Sequence, residues 1–571
     1  MTPQSVPPPK ASARSYLPLA FVLLLTAALS LLWSNARLME QDEFLSFYTD
    51  SVATFQQVVL IQLHHPISLD PPTYHLLSHL SMDLIGRNAI ALRLPALAGF
   101  LLFQICLFYF VRRLAGNRAA VVAAAAPLLT ASFYYSVEGR PYGLLLGLYA
   151  LSLLCWQLAT SNDAVHTAPD ERSVLDGVRT KPPAVRAGLI GLTLSIALAI
   201  TSHYFGVLIL IPISIGELAR TLSRKRLDLS VLAALALGLA SIGLILPFQK
   251  ALMVYRQHYY ITGVNFHDIS QGYRELFLRY TTWPLPLQKL AAAIMVVLAL
   301  SLAVAGYKRF KRRPATEHAY TWVALSAMAL LPFFGYLFGR FVTHSMEVRY
   351  VIAALIAFAA TFAIVLQRRL RSDAFYYVTL ALIALAAIDI NAWNIVKERR
   401  ASNALLASFH LSPEASAALH QDPTEPIYIQ TLADFYLNTY YDPDPTLRPR
   451  FSLLYGQPEE IRWLAHDTNA ITATNMRTFT PLSITPYTDF RQNSHPLLLL
   501  YPGSWQWIDK QLNANHTSIS PIAPALRGTL VRVTNLSRRE QRNTHHAMLN
   551  FPDAQKTYPP NRSMSPSARS K

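Results

Sequence analysis

Charged residues are scarce in this chain. Only 15% of its 571 residues are Asp, Glu, Lys or Arg, whereas soluble domains carry about 25%. Cysteine is rarer still. Cys106 and Cys155 are the only two, and both lie in apolar runs. A disulfide framework, or a zinc site built from several cysteines, is thereby excluded. No glycine-rich loop of the kind that cradles nucleotide phosphates occurs. No internal repeat is evident, and paired half-repeats are what many transporters show. The net charge of +17 comes from basic residues scattered over short loops. No basic stripe with interleaved aromatics accompanies it, so no nucleic-acid partner is expected.

What the chain has is hydrophobicity: 52% of residues, in runs close to the ~20 residues that cross a bilayer. Runs at 17–33, 89–111, 119–136, 142–158, 187–201, 204–219, 229–248, 288–307, 320–338, 350–366 and 374–393 read as spans, about eleven in all. The first follows Lys10 and Arg14 and has the look of a signal peptide cleaved after Ser34 or Ala36. The many later spans favour a retained anchor. With the N-terminus in the cytoplasm, every dense basic loop falls on one side, from Arg112-Arg113 to Arg368-Arg369, as the positive-inside rule requires. The acids, histidines and lone arginines that topology does not explain fall on the other.

The chain is organised around Gln41-Asp42-Glu43-Phe44, where the first span would leave the bilayer. Phe44, Tyr48, Val52, Phe55 and Val59 follow at helical spacing, which predicts one amphipathic helix lying along the membrane surface. Pro71-Pro72 then breaks the chain and opens a second surface helix. Its apolar stripe is Tyr74, Leu77, Leu80 and Leu84, with His75, Ser78, His79 and Asp83 interspersed. Beyond about residue 395 the pattern changes to short buried strands, at 426–429, 496–501 and 530–533, with helical stretches at 459–466 and 505–512.

The sequence therefore predicts an α-helical polytopic membrane protein with extracytoplasmic surface helices and a small C-terminal α/β extracytoplasmic domain. Residues 1–15 form a disordered cytoplasmic tail and 16–394 the membrane domain, with its first extracytoplasmic loop at 37–88. Residues 395–540 form the α/β domain and 541–571 a disordered tail.

In order along the chain, the acidic pair, the Pro-Pro turn, Arg93-Leu94-Pro95, Ser136-Val137-Glu138-Gly139-Arg140-Pro141-Tyr142 and a late Arg349-Tyr350 resemble the GT-C membrane glycosyltransferases. The resemblance covers roughly residues 15–395. It is greatest to the bacterial branch near the protein O-mannosyltransferases and the lipid A aminoarabinose transferases. It implies transfer of a sugar from a polyprenyl phosphate to an acceptor hydroxyl outside the cytoplasm, with inversion. The acceptor would be a glycolipid, a polysaccharide or a protein. The cell inner membrane is the implied location.

The resemblance makes Asp42 the general base, with Glu43 beside it to orient or tune it. Read alone, Asp42 would equally be the cap of a helix beginning at Glu43. Arg140 and Arg349 are candidates for the lipid phosphate, since guanidinium offers paired donors; each could instead anchor a span at the interface. Glu138 would pair with Arg140. Tyr142, Tyr350, His203 and His65 are further candidate substrate contacts. Arg93 reads as structural, paired with Asp83. His64 and His65 with Asp70 have a spacing that is not diagnostic of metal, and no divalent metal is indicated. Some family members carry a lysine beside the Pro-Pro turn, near phosphate. Asp70 stands there in this chain, a departure that argues against a phosphate-binding role for this turn and points to a different donor or acceptor. Tyr255, His258, Tyr259, Tyr260, Tyr273, Tyr280 and Trp283 read mainly as an interfacial aromatic belt. Two other classes fit the same composition: a transporter or flippase for a lipid-linked sugar, and a non-catalytic glycan-binding or assembly protein.

Overall fold

The computed structural model describes residues 13–161, 182–258, 264–278, 285–312, 317–409, 411–501 and 506–534. The terminal tails, Arg172, Arg179 and Lys181, and loop residues Tyr259, Tyr260, Tyr280 and Trp283 lie outside them. The chain forms two compact units. The first holds residues 1–253 and 264–404, the second residues 254–263 and 405–571.

The first unit is helical throughout. Seven described helices are long and apolar enough to cross a membrane, and a pair bent by 53° at Leu330 makes an eighth candidate. Shorter apolar helices at Asn117–Leu129, Ala293–Lys308 and Ala354–Leu366 occupy three other positions where spans were expected. This is a multi-pass membrane protein. The last long helix, Asp373–Ala407, runs through the expected domain boundary at 394.

Helix α1 (Leu17–Ala36) leads into the first loop, which holds α2 (Gln41–Asp50), α3 (Phe55–His64) and α4 (Pro72–Ile85). The single surface helix expected over 44–59 is thus two. Thr54 caps α3 by accepting from the Gln57 amide, and the Gln57 side chain accepts from Ala53. The Thr54 cap starts a new helix, and this outweighs the continuous apolar spacing.

Helix α4 also departs from expectation. His75, Ser78 and His79 are buried, while Leu77, Leu80 and Leu84 are exposed. Its polar side faces protein and its leucines face outward, the polarity suited to a helix whose outer surface meets lipid.

Helix α5 (Ala89–Ala115) contains Pro95. The missing proline N–H frees the Ala91 carbonyl, and the Ser81 hydroxyl of α4 donates to it. Tyr74 donates to the next carbonyl, Leu92, at 3.0 Å. The proline thus docks α4 onto α5. After α6 (Asn117–Ala125) come two short 3-10 turns, so residues 119–136 are not one continuous helix. Helix α7 (Tyr142–Ala159) packs closely on α5. A Cβ on Gly147 would lie 2.3 Å from the Gly99 carbonyl oxygen, so the crossing requires glycine there. The loop at 249–287 is not purely aromatic coil, for it carries a helix at His267–Leu278.

The second unit has a six-stranded sheet in the order β3-β2-β1-β4-β6-β5. Strands β1 (Ile427–Ile429), β2 (Phe451–Tyr455), β3 (Ser483–Pro486) and β4 (Leu497–Leu500) run parallel. Strands β5 (Ser518–Ala525) and β6 (Gly528–Thr534) form an antiparallel hairpin beside β4. The sequence identified β1, β4 and β6. It missed β2, β3 and β5, the last two of which carry proline.

Candidate active site

The site is built where the first loop meets the turn at 137–141. Its frame is a buried charge cluster around Glu43. The N-cap of α2 is Glu40, which forms a capping box with Glu43. Asp42 therefore does not cap the helix, because the helix begins one residue before it.

Both carboxylate oxygens of Glu43 are engaged. Arg93 Nε donates to Oε1 and Nη2 to Oε2, each at 2.8 Å. The Gly139 amide donates to Oε1 at 2.6 Å, and Arg37 lies 3.2 Å from Oε2. Arg93 also donates to the carbonyls of Ser34, Arg37 and Leu38, satisfying groups at the end of α1. Burial alone would raise the Glu43 pKa, but the Arg37 and Arg93 guanidiniums overcome it and hold the carboxyl at about 2.

Two expectations are corrected here. Arg93 pairs with Glu43, while Asp83 pairs with His79 at 3.3 Å. The Glu43 carboxylate is taken by Arg37, Arg93 and the Gly139 amide, so it fastens α1, α2, α5 and the Gly139 turn together and bears on Asp42 through that frame. The turn needs glycine for this. A Cβ at Gly139 would meet Leu92 Cγ at 2.7 Å and Glu43 Oε1 at 3.1 Å.

Asp42 sits on the open side of this frame. Its carboxylate is 42% exposed and lies 3.8 Å from Arg349 Nη1. Arg140 Nη1 donates to the Asp42 carbonyl at 3.4 Å. Arg140 also pairs with Asp70 at 3.0 Å, and both are buried. Asp70 faces His203 Nε2 at 3.8 Å. Burial works to raise the Asp70 pKa, but Arg140 and His203 hold it below the usual carboxylate range.

His203 is kept neutral near pH 7. Burial lowers its pKa to about 4, despite the opposing field of Asp70. Its Nδ1 accepts from the Phe205 amide at 3.1 Å, so Nε2 carries the proton that faces Asp70.

Aromatic rings close the pocket wall. The Arg349 guanidinium lies 5.3 Å from the Tyr142 ring centre. His203 packs against Tyr142 at 5.4 Å and Tyr350 at 5.0 Å, and Phe205 stacks on Tyr350 at 4.2 Å. Glu138 is buried in the same turn, and its charge acts on both Arg37 and Arg349.

The structure thus gathers Asp42, Asp70, Glu138, Arg140, Tyr142, His203, Arg349 and Tyr350, from stretches as far apart in sequence as 42 and 350. His65 is the C-cap of α3 and has no contact with Asp42, Asp70 or Arg140 among the described residues. Among those residues no three His, Cys, Asp or Glu side chains come together as metal ligands. Sequence reasoning missed Arg37, which lies over the Tyr134 ring at 4.8 Å and pairs with Glu40 at 2.7 Å. The spacing Arg37, Glu40, Glu43 was the available signal.

Chemically, the site offers one accessible carboxylate beside two arginines. Arg140 Nε and Arg349 Nε are buried and have no acceptor among the described residues. Such donors carry a cost unless a bound anion or water takes them.

The family model for dolichyl-phosphate-mannose-protein mannosyltransferase matches residues 69–167. That stretch includes Asp70, Arg93, Glu138, Arg140 and Tyr142. No curated protein sequence matches the chain. Among solved structures, apo ArnT from Cupriavidus metallidurans aligns at 15% identity and TM-score 0.42, over 91% of this chain and 99% of that one. The same protein bound to undecaprenyl phosphate aligns at 15% identity and TM-score 0.40, over 90% and 98%. The oligosaccharyltransferase AglB from Archaeoglobus fulgidus, with an inhibitory peptide and a dolichol phosphate, aligns at 12% identity and TM-score 0.43, over 86% and 70%. This multi-pass chain resembles the dolichyl-phosphate-mannose-protein mannosyltransferase family over residues 69–167.

Proposed function

We propose that this protein is a membrane glycosyltransferase. It moves a sugar from a polyprenyl phosphate to an acceptor hydroxyl on the extracytoplasmic face of the inner membrane. The observation that carries this reading is the accessible Asp42 carboxylate, 3.8 Å from Arg349, in a site whose two arginines retain buried donors with no acceptor among the described residues. The match of residues 69–167 to the mannosyltransferase family model supports it.

In this reaction Asp42 takes the proton from the acceptor hydroxyl as its oxygen attacks the anomeric carbon. A positioned base of this kind is worth about 10²–10⁴ in rate. The bond from the anomeric carbon to the phosphate oxygen breaks, and its electron pair leaves with the lipid phosphate. The phosphate goes from a singly charged diester to a more highly charged monoester. Arg140 and Arg349 stabilise that growing charge, which favours the transition state over bound substrate. Attack opposite the leaving group inverts the anomeric centre.

The remaining groups position the pair. Asp70 holds Arg140 from behind, and Tyr142 supports Arg349. Neutral His203 leaves the positive charge of the site to the arginines. The Glu43 frame fixes the turn that carries Arg140 relative to the helix that carries Asp42.

The test is release of free polyprenyl phosphate by the purified full chain in nanodiscs. A panel of polyprenyl-phosphate sugars is offered with an envelope extract as acceptor. Release with one donor, accompanied by glycosylated acceptor, is the expected result. Movement of intact donor across liposomes without release would instead establish a transporter.

A further inference from the structure

Behind the site lies a second polar constellation. Asp50, at the end of α2, places Oδ1 2.6 Å from His75 Nδ1 on α4. His75 Nε2 lies 3.1 Å from the hydroxyl of Ser68. All three are buried: Asp50 and His75 have no exposure and Ser68 has 3%. The carboxylate fixes the proton on Nδ1, so Nε2 accepts from Ser68. The order is that of a nucleophilic triad, but burial removes the hydroxyl from any substrate. The arrangement is a tether.

What it tethers is Asp70. Only Leu69 separates Ser68 from Asp70, and Pro71-Pro72 stiffens the chain on the other side. The Asp70 carbonyl accepts from Gln62 of α3 at 3.2 Å.

We infer that Ser68, His75 and Asp50 are positioning residues for anion binding: they hold the 65–71 loop so that Asp70 presents the Arg140 guanidinium to the lipid phosphate. The inference rests on the proposed phosphate-binding role of Arg140. It assigns a use to three buried polar side chains that the transfer chemistry itself does not need. Without such a use, polar groups at this depth would be a net cost relative to apolar packing.

The test is direct binding of undecaprenyl phosphate to the detergent-solubilised full chain. Wild type is compared with Ser68→Ala, His75→Gln, the double variant and His79→Gln. Loss of one positioning hydrogen bond weakens binding about tenfold if its energy is expressed in the site. Ser68→Ala and His75→Gln should each show that loss. The double variant should show no more, because the two residues act in series. His79 also lies buried on α4 and contacts the Asp50 carbonyl at 2.8 Å, but it does not touch Ser68. His79→Gln should lower the melting temperature and leave affinity within about twofold. In Ser68→Ala and His75→Gln the weaker binding should be accompanied by slower sugar transfer, because the same Arg140 guanidinium stabilises the leaving phosphate.

Two results overturn the inference. One is wild-type affinity in Ser68→Ala and His75→Gln. The other is an equal loss in His79→Gln, which would mean general loosening. Absence of binding by the wild-type chain would instead overturn the phosphate-binding reading beneath it, and the inference would fall with that reading.

Discussion

Glu43→Gln tests whether the acid beside Asp42 builds the frame or takes part in the chemistry. Glutamine keeps the size of the side chain and an oxygen for the Gly139 amide, but it leaves Arg93 buried without its anion and Arg37 with Glu40 alone. The folded carboxyl titrates at about 2, against 4.5 as an ordinary glutamate. Ionised Glu43 therefore stabilises the fold by about 3 kcal/mol at neutral pH. With a melting entropy of about 2.1 cal/mol/K per residue over a unit of roughly 400 residues, the substitution lowers Tm by about 4 °C. The pH dependence follows from the depressed pKa. The stabilisation is complete above the unfolded value and lost as pH falls through the folded one. The gap between wild type and variant should thus be full at pH 7 and fall below about half by pH 3. Fluorescence-detected melting in detergent across that range measures it. Equal Tm at pH 7, or a gap that persists unchanged at low pH, would refute the reasoning. Molecules of the variant that remain folded should still transfer sugar, because the base is elsewhere.

Gly139→Ala should destabilise the membrane unit by about 1–3 kcal/mol, because Leu92 and the Glu43 carboxylate leave no room for a methyl group; a lower Tm checks this. Arg349→Ala should weaken polyprenyl-phosphate binding and slow transfer by at least about tenfold, with Arg349→Lys recovering only part because lysine lacks the planar pair of donors. Titrated binding and single-turnover rates separate the two effects. His203 is held at about 4 against an ordinary 6.5, so the unfolded chain binds the extra proton first. The folded state should lose stability as pH falls from about 6.5 toward 4, and His203→Gln should remove that part of the slope in a pH series of melts.

The sequence made some of this site legible and hid the rest for definable reasons. Asp42, Arg140 and Arg349 stood out because polar groups at the ends of apolar spans have few bland uses, and the structure brings them together. Glu43 was misread because adjacency in sequence says little about shared surroundings on a helix: its neighbours are Arg37, Arg93 and Gly139. The split between α2 and α3 was written in Thr54 and Gln57, but the apolar spacing masked it. In α4 the periodicity was right and the facing was wrong. The leucines look outward, because a membrane protein can expose apolar side chains and bury polar ones. The tether of Asp50, His75 and Ser68 could not be read at all. It depends on how α4 lies against α2, which only tertiary packing decides.

The most direct measurement of the central claim compares wild type with Asp42→Asn in the same preparation, reading both polyprenyl-phosphate-sugar binding and release of polyprenyl phosphate. Asp42 is outside the buried Glu43 frame, so the variant should melt as wild type does and bind donor within about threefold, while release falls by about 10²-fold or more. Unchanged release in the folded, donor-binding variant would contradict the assignment of Asp42 as the base.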